Sequence, residues 1–192
     1  MVRRIFWVRH GPTHQKTFTG WRDVPADLSD TGAVMRMRDW LPADAPIASS
    51  DLKRAVATAD AIAGGRRRLA HDPDLREFDF GTWDGLHFNV VAERDPDLSW
   101  SFWDEPGDVA APGGESWFQV RDRVARAVDR ALANNPGDVI LVAHFGAILC
   151  HVAHATGQTP KAILAQKIDP LSVTELVEAG DCWTLGAVNH QP

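Results

Sequence analysis

Ile5-Phe6-Trp7-Val8 runs without interruption into Arg9-His10-Gly11. Four consecutive apolar residues, two of them β-branched, read as a short buried strand. At its carboxyl end that strand delivers a cation, an imidazole and a flexible turn. Open α/β sheets place their ligand crevices outside the carboxyl ends of the strands. The stretch therefore predicts an α/β sheet and, at its end, a phosphate site built around His10 as nucleophile.

Outward from this stretch, further apolar runs at 46–49, 139–143 and 172–177, with Trp183 to Val188 behind them, read as strands. Helical patterns fill the gaps. The clearest spans 115–134, where Val120, Val124, Val128 and Leu132 recur every fourth residue and Asn134-Asn135-Pro136-Gly137 forms the stop. A second helix is expected to begin at Ser50 or Asp51, capped by either side chain, and to run through Ala63 to Gly64-Gly65. Others are expected from near Asp30 to Trp40, after His144, and between Gly85 and Arg94. Strands alternating with helices imply a three-layer α/β/α architecture with a largely parallel central sheet. The segment 95–114 stands apart, rich in Pro, Asp and Trp, with Trp100, Phe102 and Trp103 close together. It reads either as a surface excursion whose aromatics fold back on the core or as a lid over the substrate.

Composition narrows the function. A chain of 192 residues with 44% hydrophobic content can bury one good core, so residues 1–192 are read as one domain. No run reaches the roughly 18 apolar residues of a membrane helix, and Arg3-Arg4 leads into a strand with no cleavage site, which predicts a cytoplasmic protein without membrane contact. Two cysteines, Cys150 and Cys182, are too few for a disulfide scaffold. A net charge of −6 argues against nucleic acid as partner. Among the eight tryptophans are candidate interface anchors, so a homodimer is one state the sequence allows. Arg66-Arg67-Arg68 reads as a solvated edge, and Cys150, His151 and His154 as packing and surface residues rather than metal ligands.

Three more segments accompany the first: Ser49-Ser50-Asp51-Leu52-Lys53-Arg54-Ala55, Leu75-Arg76-Glu77-Phe78-Asp79-Phe80-Gly81, and Val139-Ile140-Leu141-Val142-Ala143 running into His144. In that order and spacing the set resembles the histidine phosphatase superfamily, which includes the cofactor-dependent phosphoglycerate mutases. The resemblance touches residues 5 to 189 and implies a phosphoglycerate mutase-like fold. It implies that His10 attacks phosphorus through Nε2 while a backbone carbonyl holds Nδ1–H. It assigns Arg9 and Arg54 to the phosphoryl oxygens and His144 to the role of an imidazolium donor, with neither metal nor cofactor. Glu77 occupies the proton-donor position. A leaving alkoxide needs a proton, and a carboxyl group can supply it and then activate water. Phe18-Thr19-Gly20-Trp21 resembles the substrate-side loop, with Thr19 and Gly20 near the ligand and Thr13 in support, although a plain turn explains it equally well. Pro112-Gly113-Gly114-Glu115-Ser116 resembles the loop into the long helix, where Glu115 and Ser116 either cap or touch substrate.

The chain also departs from the pattern. Pro12-Thr13 follows the first motif where an acidic or glutamine residue is common, the loop to Phe18 is short, and Gln15 or Lys16 stands near an expected asparagine. Lys16 is a candidate phosphate-directed cation. Phe145 replaces the usual glycine after His144. Phe78-Asp79-Phe80-Gly81-Thr82-Trp83-Asp84-Gly85 follows the acid, no Arg-Arg pair lies between 86 and 120, and the sequence ends at Pro192, soon after Asn189. These features favour a phosphatase of small phosphorylated metabolites. The alternatives are a phosphoglycerate mutase and, in another class, a non-catalytic phospholigand-binding protein on the same fold.

Overall fold

The computed structural model describes residues 2–180 and 182–192. Strand β1 (Arg4–Arg9) pairs in parallel with β3 (Val139–Ala143), which pairs in parallel with β2 (Ile47–Ser49). On its other side β1 pairs antiparallel with β4 (Val173–Ala179), and β4 with β5 (Cys182–Leu185). Among the described residues these five strands form one open mixed sheet in the order β2-β3-β1-β4-β5. Its parallel half is the part expected from alternating strands and helices. The reversal at β4 arises because the chain climbs back to the carboxyl end of β1 before entering the sheet: Leu171 N–H donates to Arg9 O, and Arg9 N–H to Ser172 O. A strand entering from that end can only run antiparallel.

Period-two alternation divides the core into two layers. Phe6 and Val8 of β1, with Ile140 and Val142 of β3, face helices α1 (Thr31–Trp40) and α2 (Lys53–Ala63). Ile5, Trp7, Val139 and Leu141 face α5 (Trp117–Ala133) and α6 (Phe145–Thr156). Short helices α3 (Phe88–Arg94) and α4 (Pro96–Asp104) and a final turn, α7 (Pro160–Ile163), complete the α5–α6 side. Among the described residues no helix is long and apolar enough to cross a membrane.

Several local expectations are corrected. Helix α2 begins at Lys53, later than expected, and neither Ser50 nor Asp51 caps it. Asp51 is drawn into an ion pair with Arg76, and the Lys53 N–H is capped by Asp23 at 2.7 Å, a partner 30 residues away. Ser116 does cap α5, in a reciprocal box with Gln119, whereas Glu115 pairs with Arg123. The segment 95–114 contains α4, which plants Phe102 in the core and leaves Trp100 outside. The arginine triplet is more than a solvated edge: Arg66 donates to the carbonyls of Arg38, Leu41 and Pro42, stitching the end of α1 to α2.

Candidate active site

The register Arg9↔Ala143 makes the next residues, His10 and His144, leave adjacent parallel strands side by side, with ring centroids 5.0 Å apart. The His10 N–H continues the ladder to Ala143 O at 3.1 Å. Gly11 then turns so tightly that a Cβ would stand 2.6 Å from Leu28 Cδ2, and its N–H donates to Thr58 Oγ1 at 2.9 Å. Thr58 in turn donates to Arg54 O, which ties the turn to α2. His10 Nδ1 lies 2.7 Å from Gly11 O. A carbonyl only accepts, so the proton sits on Nδ1 and Nε2 keeps its lone pair. Burial, with the Arg54 charge next, pushes the His10 pKa down to about 3 against the Gly11 bond. The imidazole is therefore neutral near pH 7.

Arg54, buried in the first turns of α2, spreads its three nitrogens over three partners. Nε donates to His144 Nδ1 at 3.1 Å, Nη1 to Arg22 O at 3.0 Å and Nη2 to Gly20 O at 2.6 Å. Because His144 Nδ1 accepts, its proton is on Nε2, a buried atom with no hydrogen-bond partner among the described residues. Burial, followed by the Arg54 charge, holds the His144 pKa well below its ordinary value. The expected imidazolium is thus a neutral imidazole at rest, still a donor through Nε2–H. Arg9 anchors Nη1 on Ile168 O at 2.6 Å, lays its guanidinium 5.4 Å over the Phe145 ring, and leaves Nε buried without a partner. The substitution of Phe145 for glycine therefore supplies a platform for Arg9.

Glu77 reaches the same floor from the other side of the cleft. Its carboxylate accepts from Phe78 N–H at 3.0 Å and Gly146 N–H at 3.1 Å, the latter near the start of α6. A Cβ on Gly146 would sit 2.5 Å from Glu77 Oε1 and from the Phe78 ring, so the close approach requires glycine. The Glu77 carbonyl accepts from Arg123 Nη2 at 2.7 Å and Trp21 Nε1 at 2.9 Å. Arg123 also donates to the carbonyls of Asp74 and Arg76 and pairs with Glu115. One buried guanidinium thus clamps the whole segment that carries the acid.

Arg9, His10, Arg54 and Glu77 line a cleft of about 280 Å³ with Thr13 and Thr19 on its wall, whereas His144, fully buried beside His10, is not part of the lining. Gly20 does not line the cleft. Its N–H donates to Asp84 and its carbonyl accepts from Arg54, so it positions Arg54 instead of meeting a ligand. Gln15 faces the cleft and Lys16 does not. Asp79 and Asp84, the other nearby carboxylates, serve backbone N–H groups of Gly81, Gly20 and Arg22. Among the described residues no group of three or more His, Cys, Asp or Glu is set to hold a metal. His151 instead accepts from Trp7 Nε1 in the core. The sequence reading gave no role to Gly146, Arg123, Asp23 or Trp21; Gly146 had a signal as the small residue directly after the intruding Phe145, and Trp21 as the last residue of the substrate-side loop motif.

Comparison with known proteins now gives this geometry a family. The chain belongs to the histidine phosphatase superfamily (branch 1), which it matches over residues 5–191. The bifunctional protein Rv2228c of Mycobacterium tuberculosis is 36% identical over 159 residues, covering 72% of this chain and 40% of that longer protein. The metal-independent phosphoserine phosphatase of Arabidopsis thaliana is 32% identical over 157 residues, covering 77% of this chain and 66% of that one. The solved structure of mycobacterial glucosyl-3-phosphoglycerate phosphatase Rv2419c superposes with a TM-score of 0.87 at 27% identity, over 99% of this chain and all of the other.

Proposed function

We propose that this chain is a metal-independent phosphomonoesterase that hydrolyses a small phosphorylated metabolite through a phosphohistidine intermediate. The observation that carries the reading is the complementary tautomers of the two histidines: Gly11 O holds the proton on His10 Nδ1, and Arg54 Nε–H forces it to Nε2 of His144. One ring offers a lone pair and the other an N–H at the same strand ends.

The neutral His10 Nε2 attacks phosphorus in line, forming the N–P bond as the P–O bond to the alcohol breaks. Glu77, as the carboxylic acid, gives its proton to the departing oxygen. Arg9, Arg54 and His144 Nε2–H face the equatorial oxygens, with Arg9 Nε and His144 Nε2 supplying donors that otherwise lack partners. Water then attacks the phosphohistidine, its proton passes to the Glu77 carboxylate, the N–P bond breaks, and inorganic phosphate leaves with His10 restored. The arriving phosphoryl group accepts from His144 Nε2–H with the ring neutral, because Arg54 Nε–H keeps His144 Nδ1 as an acceptor. Residues 95–114, through Trp103, form a wall of this cleft within what we read as a single domain.

Support comes from the donor set, which neutralises phosphoryl charge with nitrogen cations, and from phosphatases among the relatives. The test is phosphate release from a panel of phosphomonoesters in EDTA, with wild type beside His10→Ala. Turnover that persists in EDTA and falls at least about 10³-fold in the variant is expected. Loss of turnover in EDTA, or full activity in His10→Ala, rejects the mechanism. Exchange between 2- and 3-phosphoglycerate without net phosphate release identifies a mutase, and phosphate binding without turnover identifies a binding protein.

A further inference from the structure

The walls of the cleft differ chemically from its floor. Phe18, Phe80, Phe88, Trp103 and Phe145 contribute to its lining. Phe18 is buried and forms the hub: its ring contacts Phe88 edge-on at 4.6 Å, Phe80 at 4.9 Å, and lies nearly parallel to Trp103 at 6.0 Å. Phe102, on the core side of α4, braces Trp103 from behind at 4.9 Å. Phe88 and Trp103 are left 51% and 40% exposed at the mouth. Two large apolar side chains are thus left facing water beside a phosphoryl site. Phe80, Trp103 and Phe145 also border a smaller apolar cavity of about 40 Å³, walled further by Val109, Trp117 and Leu164.

Charge is confined to the floor. Arg9 and Arg54 are the only Lys or Arg side chains lining the cleft among the described residues. Arg22, which bonds the wall residues Thr17 and Thr19 from outside the lining, is engaged by Asp84 at 3.5 Å and by Thr17 Oγ1 at 3.0 Å. A substrate with a second phosphate or a carboxylate would meet no further cation on the lining, only the uncharged Thr13, Gln15, Thr17 and Thr19 and aromatic rings whose faces carry a negative quadrupole. A cationic alcohol would gain from those faces but would sit above two guanidiniums opposed by a single carboxylate.

We infer that the alcohol half of the substrate is an uncharged, planar apolar group, an aryl ring or its equivalent, seated on Phe88 and Trp103. This rests on the phosphomonoesterase reading and names its substrate class. An apolar ring that leaves water for such a surface contributes binding energy which an ethyl group of the same chemistry cannot match.

The experiment compares kcat/KM for 2-phenylethyl phosphate, ethyl phosphate, 3-phosphoglycerate and phosphocholine. Each releases an alkyl alcohol, so the comparison reports mainly on recognition of the alcohol half. The phenylethyl ester is expected to exceed each of the others by at least about tenfold. In Trp103→Ala and Phe88→Ala the ratio of phenylethyl to ethyl ester is expected to fall toward one, a readout that does not depend on how much of a variant is folded. Faster turnover of 3-phosphoglycerate or phosphocholine overturns the inference. So does a phenylethyl advantage that survives both substitutions. If wild type hydrolyses ethyl phosphate with no preference for the ring, the inference alone fails. If it hydrolyses none of the four, the phosphomonoesterase reading falls, and this inference with it.

Discussion

The floor and the mouth of the cleft are built on opposite plans. On the floor, His10, Arg54 and His144 are buried, and most of their polar atoms are held by backbone carbonyls or by one another. At the mouth, Phe88 and Trp103 stand half-exposed on the short helices α3 and α4, packed against Phe18 and, for Trp103, Phe102. The floor is fixed by strand register, so a small displacement there misplaces reacting atoms. The mouth is fixed by side-chain contacts, so it can change its shape without disturbing the sheet. Chemistry and selectivity are thereby carried by structures of different rigidity.

The sharpest way to break this contrast is at Arg54. Lysine retains the charge but cannot reach His144 Nδ1, Gly20 O and Arg22 O together. Arg54→Lys is expected to lower kcat/KM about 10³-fold, a loss typical of removing a preorganised donor. Near-normal turnover in steady-state kinetics would show that point charge suffices and that the three-way anchoring is incidental.

Next comes the clamp behind Glu77. Arg123→Met leaves the Glu115 carboxylate and the carbonyls of Asp74, Arg76 and Glu77 short of donors. A loss of about 3 kcal/mol in denaturant unfolding is expected. Unchanged stability would mean that the acid-bearing segment is held by its apolar contacts. Gly146→Ala, by contrast, drives a methyl group into Glu77 Oε1 and the Phe78 ring. It is expected to lower kcat about 10²-fold, with a smaller effect on phosphate binding. An equal loss in both would place the damage in the fold.

Acidification tests the neutral histidines of the interior. His10 and His151 are each held down to about 3, and His144 also lies well below its ordinary value. Between the ordinary imidazole value near 6.5 and about 3, the unfolded chain binds protons that the folded chain refuses. Stability must therefore fall as pH drops through that window, by about 1.4 kcal/mol per pH unit for each histidine fully protonated only when unfolded. Unfolding free energies measured from pH 7 to 4 should show the slope, and His151→Gln should reduce it by one histidine's share. A flat profile would refute the neutral assignment. The smallest effect belongs to Trp100, 59% exposed and outside the cleft. Trp100→Ser is expected to move stability by less than about 0.5 kcal/mol and to leave the substrate preference unchanged. A shift in that preference would extend the mouth beyond Phe88 and Trp103.

Much of the floor was legible because its residues sit at strand ends. Apolar runs announce strands, and the residue after each run is delivered to a predictable edge. Arg9-His10 and His144 were found that way, and the register Arg9↔Ala143 made them neighbours. Gly20 stood near the ligand only through the resemblance, with a plain turn an equal reading, and the fold turns both of its backbone groups to Asp84 and Arg54. The cap of α2 was misplaced for a related reason. Local capping rules search adjacent residues, whereas Asp23 arrives through tertiary folding and Asp51 is captured by Arg76.

Periodicity and local spacing, properties of the chain alone, determined the parallel core, its two packed faces and the strand ends that bear His10 and His144. The tautomers of those histidines, the clamp of Arg123 on Glu77, the antiparallel entry of β4 and the aromatic mouth were decided only by tertiary structure. Each depends on groups distant in sequence, and hydrogen bonds and ring contacts act over a few ångströms of space whatever the number of residues between them.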